Sequence, residues 1–243
     1  MVYYAVQFRY TAARAGIIPD ASLEPEGSEP ACSMKILAIS DKIEERLYNP
    51  SAASAFADVG LVLSCGDLPA YYLEYLVSTL NKPLYYVFGN HEPAFDQNGE
   101  RIKEIPGCVN LDGRVVNARG LLIAGLEGSI RYRPDGEYQY TEEEMLWKIA
   151  RMVPKLIWNR ITRGRYLDIL VTHAPPAGIH DAADRCHQGF RQYIWFMRRF
   201  KPRYLIHGHT HMYMPKQERR TRYRDTEVVN AYGYVVLDVE PAK

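Results

Sequence analysis

Apolar residues in this chain come in short runs that stop abruptly at polar ones. Residues 35 to 40 (KILAIS) end at Asp41, 59 to 65 (VGLVLSC) at Gly66-Asp67, and 83 to 88 (PLYYVF) at Gly89-Asn90-His91. Residues 168 to 172 (DILVT) end at His173, and 203 to 207 (RYLIH) at Gly208-His209-Thr210-His211. Runs of this length, rich in branched and aromatic side chains and bounded by turn residues, read as buried strands. Between them the pattern changes period. A helix is expected over 51 to 57, and AYYLEYLVSTL (70 to 80) repeats its apolar residues at helical spacing. Thr141 with Glu144 three residues on makes a capping box, and Glu142, Glu143 and Glu144 suit the positive end of a helix dipole. Pro154 should bend or split that helix before Arg163. A further helix is expected from about 188 to 200. RVVNA (114 to 118) and GLLIAGLEGS (120 to 129) read as a meander, and 226 to 239 as two strands turned near Gly233. Apolar strands alternating with helices imply an α/β layered fold.

Residues 1 to 33 carry no sustained period, and ASLEPEGSEPACS has the Pro, Gly, Ser and Glu content of a linker. The expectation is a disordered or mis-assigned extension over 1 to 33, with Met34 the working start and one domain over 34 to 243. Abundant peptides from residues 1 to 30 in natively expressed protein would overturn that start. The remaining composition, 47% hydrophobic in 243 residues, is enough for a large core. A formal charge of +1 argues against a protein driven wholly by nucleic-acid binding. Cys32, Cys65, Cys108 and Cys186 lack C-x-x-C spacing, which excludes a zinc ribbon and points to a reducing, cytoplasmic setting. No apolar run approaches the roughly 18 residues of a membrane span, so no membrane partner is expected.

The polar residues that end the strands supply the chemistry. In open α/β sheets ligands bind beyond the carboxyl ends of strands, where rigid elements present converging loops. The side chains collected there are Asp41, Asp67, Asn90, His173, His209 and His211, with His91 beside Asn90. Carboxylate, amide and imidazole without thiolate suit Mn, Fe, Zn or Mg. A shared carboxylate among such ligands can hold two cations about 3.5 to 4 Å apart, the arrangement used in phosphoryl displacement.

The ordered series Asp41-Lys42-Ile43, Gly66-Asp67, Gly89-Asn90-His91-Glu92, Thr172-His173 and Gly208-His209-Thr210-His211 resembles the calcineurin-like metallophosphoesterases over about residues 34 to 240. The resemblance implies a four-layer α-β-β-α fold, two packed mixed sheets flanked by helices, and a hydrolase of phosphate mono- or diesters that uses a metal-activated water. It implies two divalent cations, Mn foremost. Asp67 bridges them, Asn90, His173 and His209 complete one site, and Asp41 with His211 serves the other. His91 becomes the general acid or phosphoryl donor, with Glu92 behind it. One position departs from the pattern. The first motif is usually D-x-H, and here its third residue is Ile43, which makes the Asp41, Asp67 and His211 site the weaker. Glu44, Tyr71 and Tyr72 are conceivable substitutes, the tyrosines in the wrong register.

Other polar residues carry two readings. Arg131 could reach a phosphate oxygen or be an ordinary surface arginine, and His187 could face the metals or a loop. His180 reads as a helix-start residue, His207 as a packed or hydrogen-bonded residue behind the site, and Cys65 as a small buried one. Lys216, Arg219, Arg220, Arg222 and Arg224, interleaved with Tyr213 and Tyr223, read as a solvated hairpin ahead of a nucleic-acid guide. The expected substrate is a small-molecule or nucleotide phosphoester. Two alternatives stand beside it, a degenerate member serving as an interaction scaffold, motivated by Ile43, and a nuclease, motivated by the basic run.

Overall fold

In chain order the elements begin with β1 (Met34–Ser40), α1 (Ala52–Ala55), β2 (Val59–Ser64), α2 (Ala70–Leu80), β3 (Leu84–Tyr86) and β4 (Cys108–Asn110). They continue through β5 (Val115–Ala118), β6 (Leu121–Leu126), β7 (Ser129–Ile130), β8 (Gln139–Tyr140), α3 (Glu142–Arg163) and β9 (Ile169–Thr172). The chain closes with α4 (Arg191–Phe200), β10 (Tyr204–His207), β11 (Arg220–Tyr223), β12 (Thr226–Asn230) and β13 (Gly233–Val239). This computed structural model describes residues 33–91, 104–213 and 217–240, all within one unit spanning Ala31–Lys243. The expected extension over 1 to 33 lies almost wholly outside the described residues, as do Glu92 and Lys216.

The strands form a five-stranded sheet in the order β13-β1-β2-β3-β4 and a six-stranded sheet in the order β11-β12-β10-β9-β6-β5. Period-two alternation decides where each side chain goes. In β1, Ile36 and Ala38 enter the seam between the sheets, where they join Leu61, Leu63, Ile123, Val171 and Ile206. Leu37 and Ile39 point the other way, into a cluster under α2 with Tyr72, Leu73 and Leu76. The second sheet repeats the scheme, since Leu122, Ala124 and Leu126 of β6 pack against Met145, Ile149 and Met152 of α3 and Phe196 of α4. Both faces of each sheet are thus dry, which is why the runs read as continuously apolar. Two mixed sheets between helical layers make the expected four-layer architecture.

One expectation about an element needs correction. Pro154 does not split its helix, because α3 runs unbroken for 22 residues through it. A proline inside a helix forfeits one backbone hydrogen bond at a cost of about 3 kcal/mol. Buried Met145, Ile149 and Met152 before it, and Leu156 after it, hold both halves on the sheet, and the capping box fixes the start. The two strands expected around a turn near Gly233 are present as β12 and β13, and they do not pair with each other. β12 pairs with β10 and β11, whereas β13 crosses over to pair antiparallel with β1. The turn therefore carries the chain from one sheet to the other, an outcome local pattern does not encode.

Candidate metal centre

Five loops at the carboxyl ends of β1, β2, β3, β9 and β10 meet at one place. Within each sheet these strands run parallel, so their ends come out on the same side. The backbone there is held in an unusual state. Asp41 (φ 63°), Asp67 (φ 53°) and His209 (φ 65°) all lie in the left-handed region. Each such non-glycine residue costs of order 1–3 kcal/mol and persists only where the surroundings enforce it. The glycines of the motifs permit the close approach. A Cβ on Gly89 would overlap the Asp67 carboxylate, and one on Gly208 would lie 2.5 Å from Asp41 Oδ2.

Asp67, His173 and His209 each present a ligand atom, all within 4.8 Å of one another. His173 Nε2 is 3.0 Å from Asn90 Oδ1 and 3.3 Å from Asp67 Oδ2. Its other ring nitrogen, Nδ1, lies 2.7 Å from the Cys65 carbonyl oxygen. In the same way His209 Nε2 lies 2.6 Å from the Cys186 carbonyl oxygen. A carbonyl only accepts, so His173 Nδ1 and His209 Nε2 carry protons; the opposite nitrogen of His209 keeps its lone pair, whereas His173 Nε2, facing the Asn90 and Asp67 oxygens, also carries a proton that a cation would have to displace. Fixing the tautomer through the second nitrogen is what metal-binding histidines require. Asn90 is oriented as well, because its Nδ2 donates to Tyr132 Oη at 3.1 Å. His91 donates its backbone N–H to Asp67 Oδ1 at 3.0 Å, while its side chain stands exposed at the rim.

Electrostatics follow from burial and crowding. Burial raises the Asp67 carboxyl, but the neighbouring His173 charge and its hydrogen bond outweigh that and hold it below the usual range. For His173, burial works downward, and the charges of Asp67 and Asp41 with the hydrogen bonds lift it to about 9. Burial, with His173 alongside, pushes His209 down to about 3.

The other half of the site is built differently. Both oxygens of Asp41 accept the His209 backbone N–H, at 3.1 and 2.9 Å, and burial raises its carboxyl. His211 Nε2 stands 3.7 Å from Asp41 Oδ1, half-exposed, with Nδ1 2.5 Å from Tyr213 Oη and the ring against Tyr232. Ile43 packs on the core cluster under α2. None of the conceivable substitutes takes its place. Glu44 pairs with Lys42 at 2.9 Å, Tyr71 is exposed beside Tyr48, and Tyr72 is buried in the core. A cavity of about 280 Å³ opens beside His211, lined also by His180, Asp181, Thr210, Met212 and Asn230.

The residues with two readings now resolve. Arg131 takes a structural part, because its Nη2 reaches both Glu144 oxygens at 2.9 Å and its Nε and Nη2 the Gln139 carbonyl, tying β8 to α3. His187 comes close without joining the ligand cluster. Its ring centroid is 5.1 Å from that of His209, and Nδ1 is 2.7 Å from Asp184 Oδ1. His180 caps nothing. Its Nδ1 lies 2.9 Å from His207 Nε2 and its Nε2 2.8 Å from Thr221 Oγ1, a chain that runs from behind Gly208 to the hairpin. Cys65 is fully buried and donates Sγ to the Ile206 carbonyl across the seam, at 3.6 Å. The basic run forms the β11–β12 hairpin, in which Arg219 binds the carbonyls of Asn230, Tyr232 and Tyr234.

Sequence reasoning missed the Tyr132 clamp on Asn90 and a polar knot at the end of β6. There Lys148 Nζ reaches Asp112 Oδ2 at 2.7 Å and Glu127 Oε1 at 3.0 Å, and Tyr140 Oη donates to Glu127. The GLEGSIRY stretch at a strand end was the available signal. The carbonyls of Cys65 and Cys186 had none, since any residue carries one.

Among solved structures, TT1561 of Thermus thermophilus is similar at 17% identity, covering 85% of this chain and 94% of its own, with a TM-score of 0.59. The phosphopantetheinyl hydrolase of Mycobacterium tuberculosis is similar at 15% identity, covering 83% and 90%, with a TM-score of 0.51. At such identities these likenesses speak to the fold. No curated protein matches the chain. The family model for calcineurin-like phosphoesterases matches residues 34–213, most of the described domain and every ligand loop. The chain therefore belongs to the calcineurin-like phosphoesterase family, whose members generally use divalent metals.

Proposed function

We propose that this protein hydrolyses phosphate mono- or diesters with divalent cations, Mn foremost and Fe, Zn or Mg as alternatives, held unequally by two half-sites. The observation that carries this reading is the convergence of Asp67, His173 and His209, with the second nitrogen of each imidazole occupied by a carbonyl. That donor set, with the Asn90 oxygen added, fits a divalent cation of mixed oxygen and nitrogen preference. Asp41 and His211 would hold a second cation more weakly. Bound cations supply Lewis acidity toward water and phosphoryl oxygens.

The chain's own residues do the rest. Asp67 is pinned by the His91 N–H, so its second oxygen stays turned toward His173. Asn90, clamped by Tyr132, keeps its carbonyl oxygen in the cluster and its amide out of it. His91, at the exposed rim and one residue from Asn90, is placed to deliver a proton to the leaving oxygen or to hydrogen-bond the phosphoryl group. Free thiols at Cys65, Cys108 and Cys186 agree with a cytoplasmic enzyme.

The test is metal analysis of the purified protein with hydrolysis of p-nitrophenyl phosphate and bis-p-nitrophenyl phosphate in Mn, for wild type and His91→Ala. Turnover that falls at least about a hundredfold in His91→Ala is expected. A wild type that binds metal but turns over no faster than His91→Ala would leave the scaffold reading, which Ile43 in the core favours. The nuclease reading is favoured by no contact, among the described residues, of the basic run with the candidate centre, since that run lies on the β11–β12 hairpin with Arg219 bound to backbone carbonyls and Arg220, Arg222 and Arg224 exposed.

A further inference from the structure

The protein has three tryptophans, and all three stand on one helical layer. Trp147 (65% exposed) and Trp158 (59%) lie on α3, and Trp195 (43%) on α4, with Ile161 (73%), Leu146 and Ile157 exposed beside them. The opposite faces of both helices are buried against the six-stranded sheet in a shared cluster. α3 is therefore apolar on two sides. A monomer gains nothing by leaving six large apolar side chains in water, and an exposed patch of this kind marks a contact surface.

Charge says what the contact is. From Arg151 onward the two helices carry Arg151, Lys155, Arg160, Arg163, Arg191, Arg198 and Arg199 and no Asp or Glu, on a chain whose net charge is +1. Of these seven only Arg191 has a carboxylate partner among the described residues, Glu142 at 3.5 Å. The three acids of α3 sit in its first turn, where Glu142 also accepts the backbone N–H groups of Arg191 and Gln192, and Glu144 holds Arg131. We infer that the α3/α4 layer is a docking face for an anionic lipid surface, with Trp147, Trp158 and Ile161 entering the headgroup boundary and Arg151, Lys155 and Arg163 meeting lipid phosphates and carboxylates, while Arg160, Arg198 and Arg199 hydrogen-bond Gly164, Tyr223 and Tyr166.

Tryptophan prefers the membrane interface, and an amphipathic helix lying in that plane buries its apolar face roughly 5–10 Å deep while cations snorkel to the headgroups. A second copy of the chain fits less well. Pairing this face with itself would bring together two surfaces that each carry more cations than acids, and like charges at an interface are penalised. A nucleic acid would use the cations and the indole faces but gives no place to Ile161, Leu146 and Ile157. The face includes none of the metal-centre residues. It also reverses the expectation from the sequence that no membrane is involved, which rested on the lack of a spanning segment; no helix among the described residues is long and apolar enough to cross a membrane.

Because all the tryptophans lie here, intrinsic fluorescence reports on this face alone. Full-length protein mixed with vesicles of phosphatidylcholine and phosphatidylserine should sediment with them and shift its emission to shorter wavelength, whereas phosphatidylcholine vesicles alone should bind it far less. The double variant Trp147→Ala/Trp158→Ala should lose sedimentation. Arg151→Glu/Lys155→Glu, a surface change that leaves the core intact, should weaken partitioning by about tenfold or more. Both variants should keep the wild-type circular dichroism and lipid-free hydrolysis. The inference is overturned by equal binding to both vesicle types or to neither. It is equally overturned by a dimer in light scattering that Trp147→Ala/Trp158→Ala dissociates, or by quenching with a single-stranded oligonucleotide that vesicles do not compete away.

Discussion

One turn, Gly208-His209-Thr210-His211, presents its two histidines to two candidate half-sites of unequal quality. The half with Asp67, Asn90, His173 and His209 is buried, and its imidazoles are fixed from behind by backbone carbonyls. The half with Asp41 and His211 leans on a half-exposed imidazole 3.7 Å from a carboxylate already engaged by the His209 N–H, and the residue that would complete it packs in the core. The contrast separates having a donor from having it held. Both halves carry donors, but only one has a supporting shell that leaves each donor a single orientation.

The largest test of this contrast is to remove one histidine from each half. His173→Ala should abolish tight Mn binding in calorimetric titration and lower kcat by roughly a thousandfold or more, whereas His211→Ala should mainly weaken the second binding event. Equal losses from both variants would erase the asymmetry. Gly89→Ala comes next, because its Cβ would meet the Asp67 carboxylate. Displacing this carboxylate should weaken metal binding by about tenfold to a hundredfold while the domain still folds, as circular dichroism would report.

Ile43→His sharpens the comparison from the other side. It should tighten the second cation by about tenfold and lower apo stability by about 1–3 kcal/mol, since a polar ring replaces a side chain packed on the core. A titration unchanged from wild type would show that position 43 is not what weakens this half.

The pH dependence is a smaller effect of definite sign. In the metal-free protein His173 is raised from 6.5 to about 9, so its proton contributes stability that is full below about 6.5 and is lost as pH rises through about 9. A cation competes with that proton. Metal affinity should therefore climb across the same window, by up to about tenfold per pH unit, and the Tm difference between Mn-loaded and EDTA-treated protein should widen. A Tm difference that is flat from pH 6.5 to 9 would contradict the His173–Asp67 pairing. The smallest effect belongs to Arg131→Ala, which should cost about 1–2 kcal/mol in denaturant unfolding and leave KM unchanged, because its Nε and Nη2 are engaged by Glu144 and Gln139.

Much of the centre was legible because each ligand directly follows a strand, and a buried strand announces itself by an unbroken apolar run. The motif glycines were legible for a related reason, since close backbone approach excludes a Cβ. The supporting shell was not. Tyr132, the carbonyls of Cys65 and Cys186, and the left-handed backbone at Asp41, Asp67 and His209 depend on which loops become neighbours. The cap of α4 shows the same limit. No side chain next to that helix serves it, and Glu142, 49 residues earlier in the chain, accepts its first N–H groups.

The sequence by itself determined the layers, the strand ends and the identity of the donors, because periodicity and residue chemistry are local properties. The tertiary structure alone decided that β12 and β13 part into different sheets, that α3 passes through Pro154, that Ile43 packs against the core, and which nitrogen of His173 and of His209 faces a backbone carbonyl. Those outcomes turn on long-range packing and hydrogen bonding, in which a residue's role is fixed by groups distant in the chain.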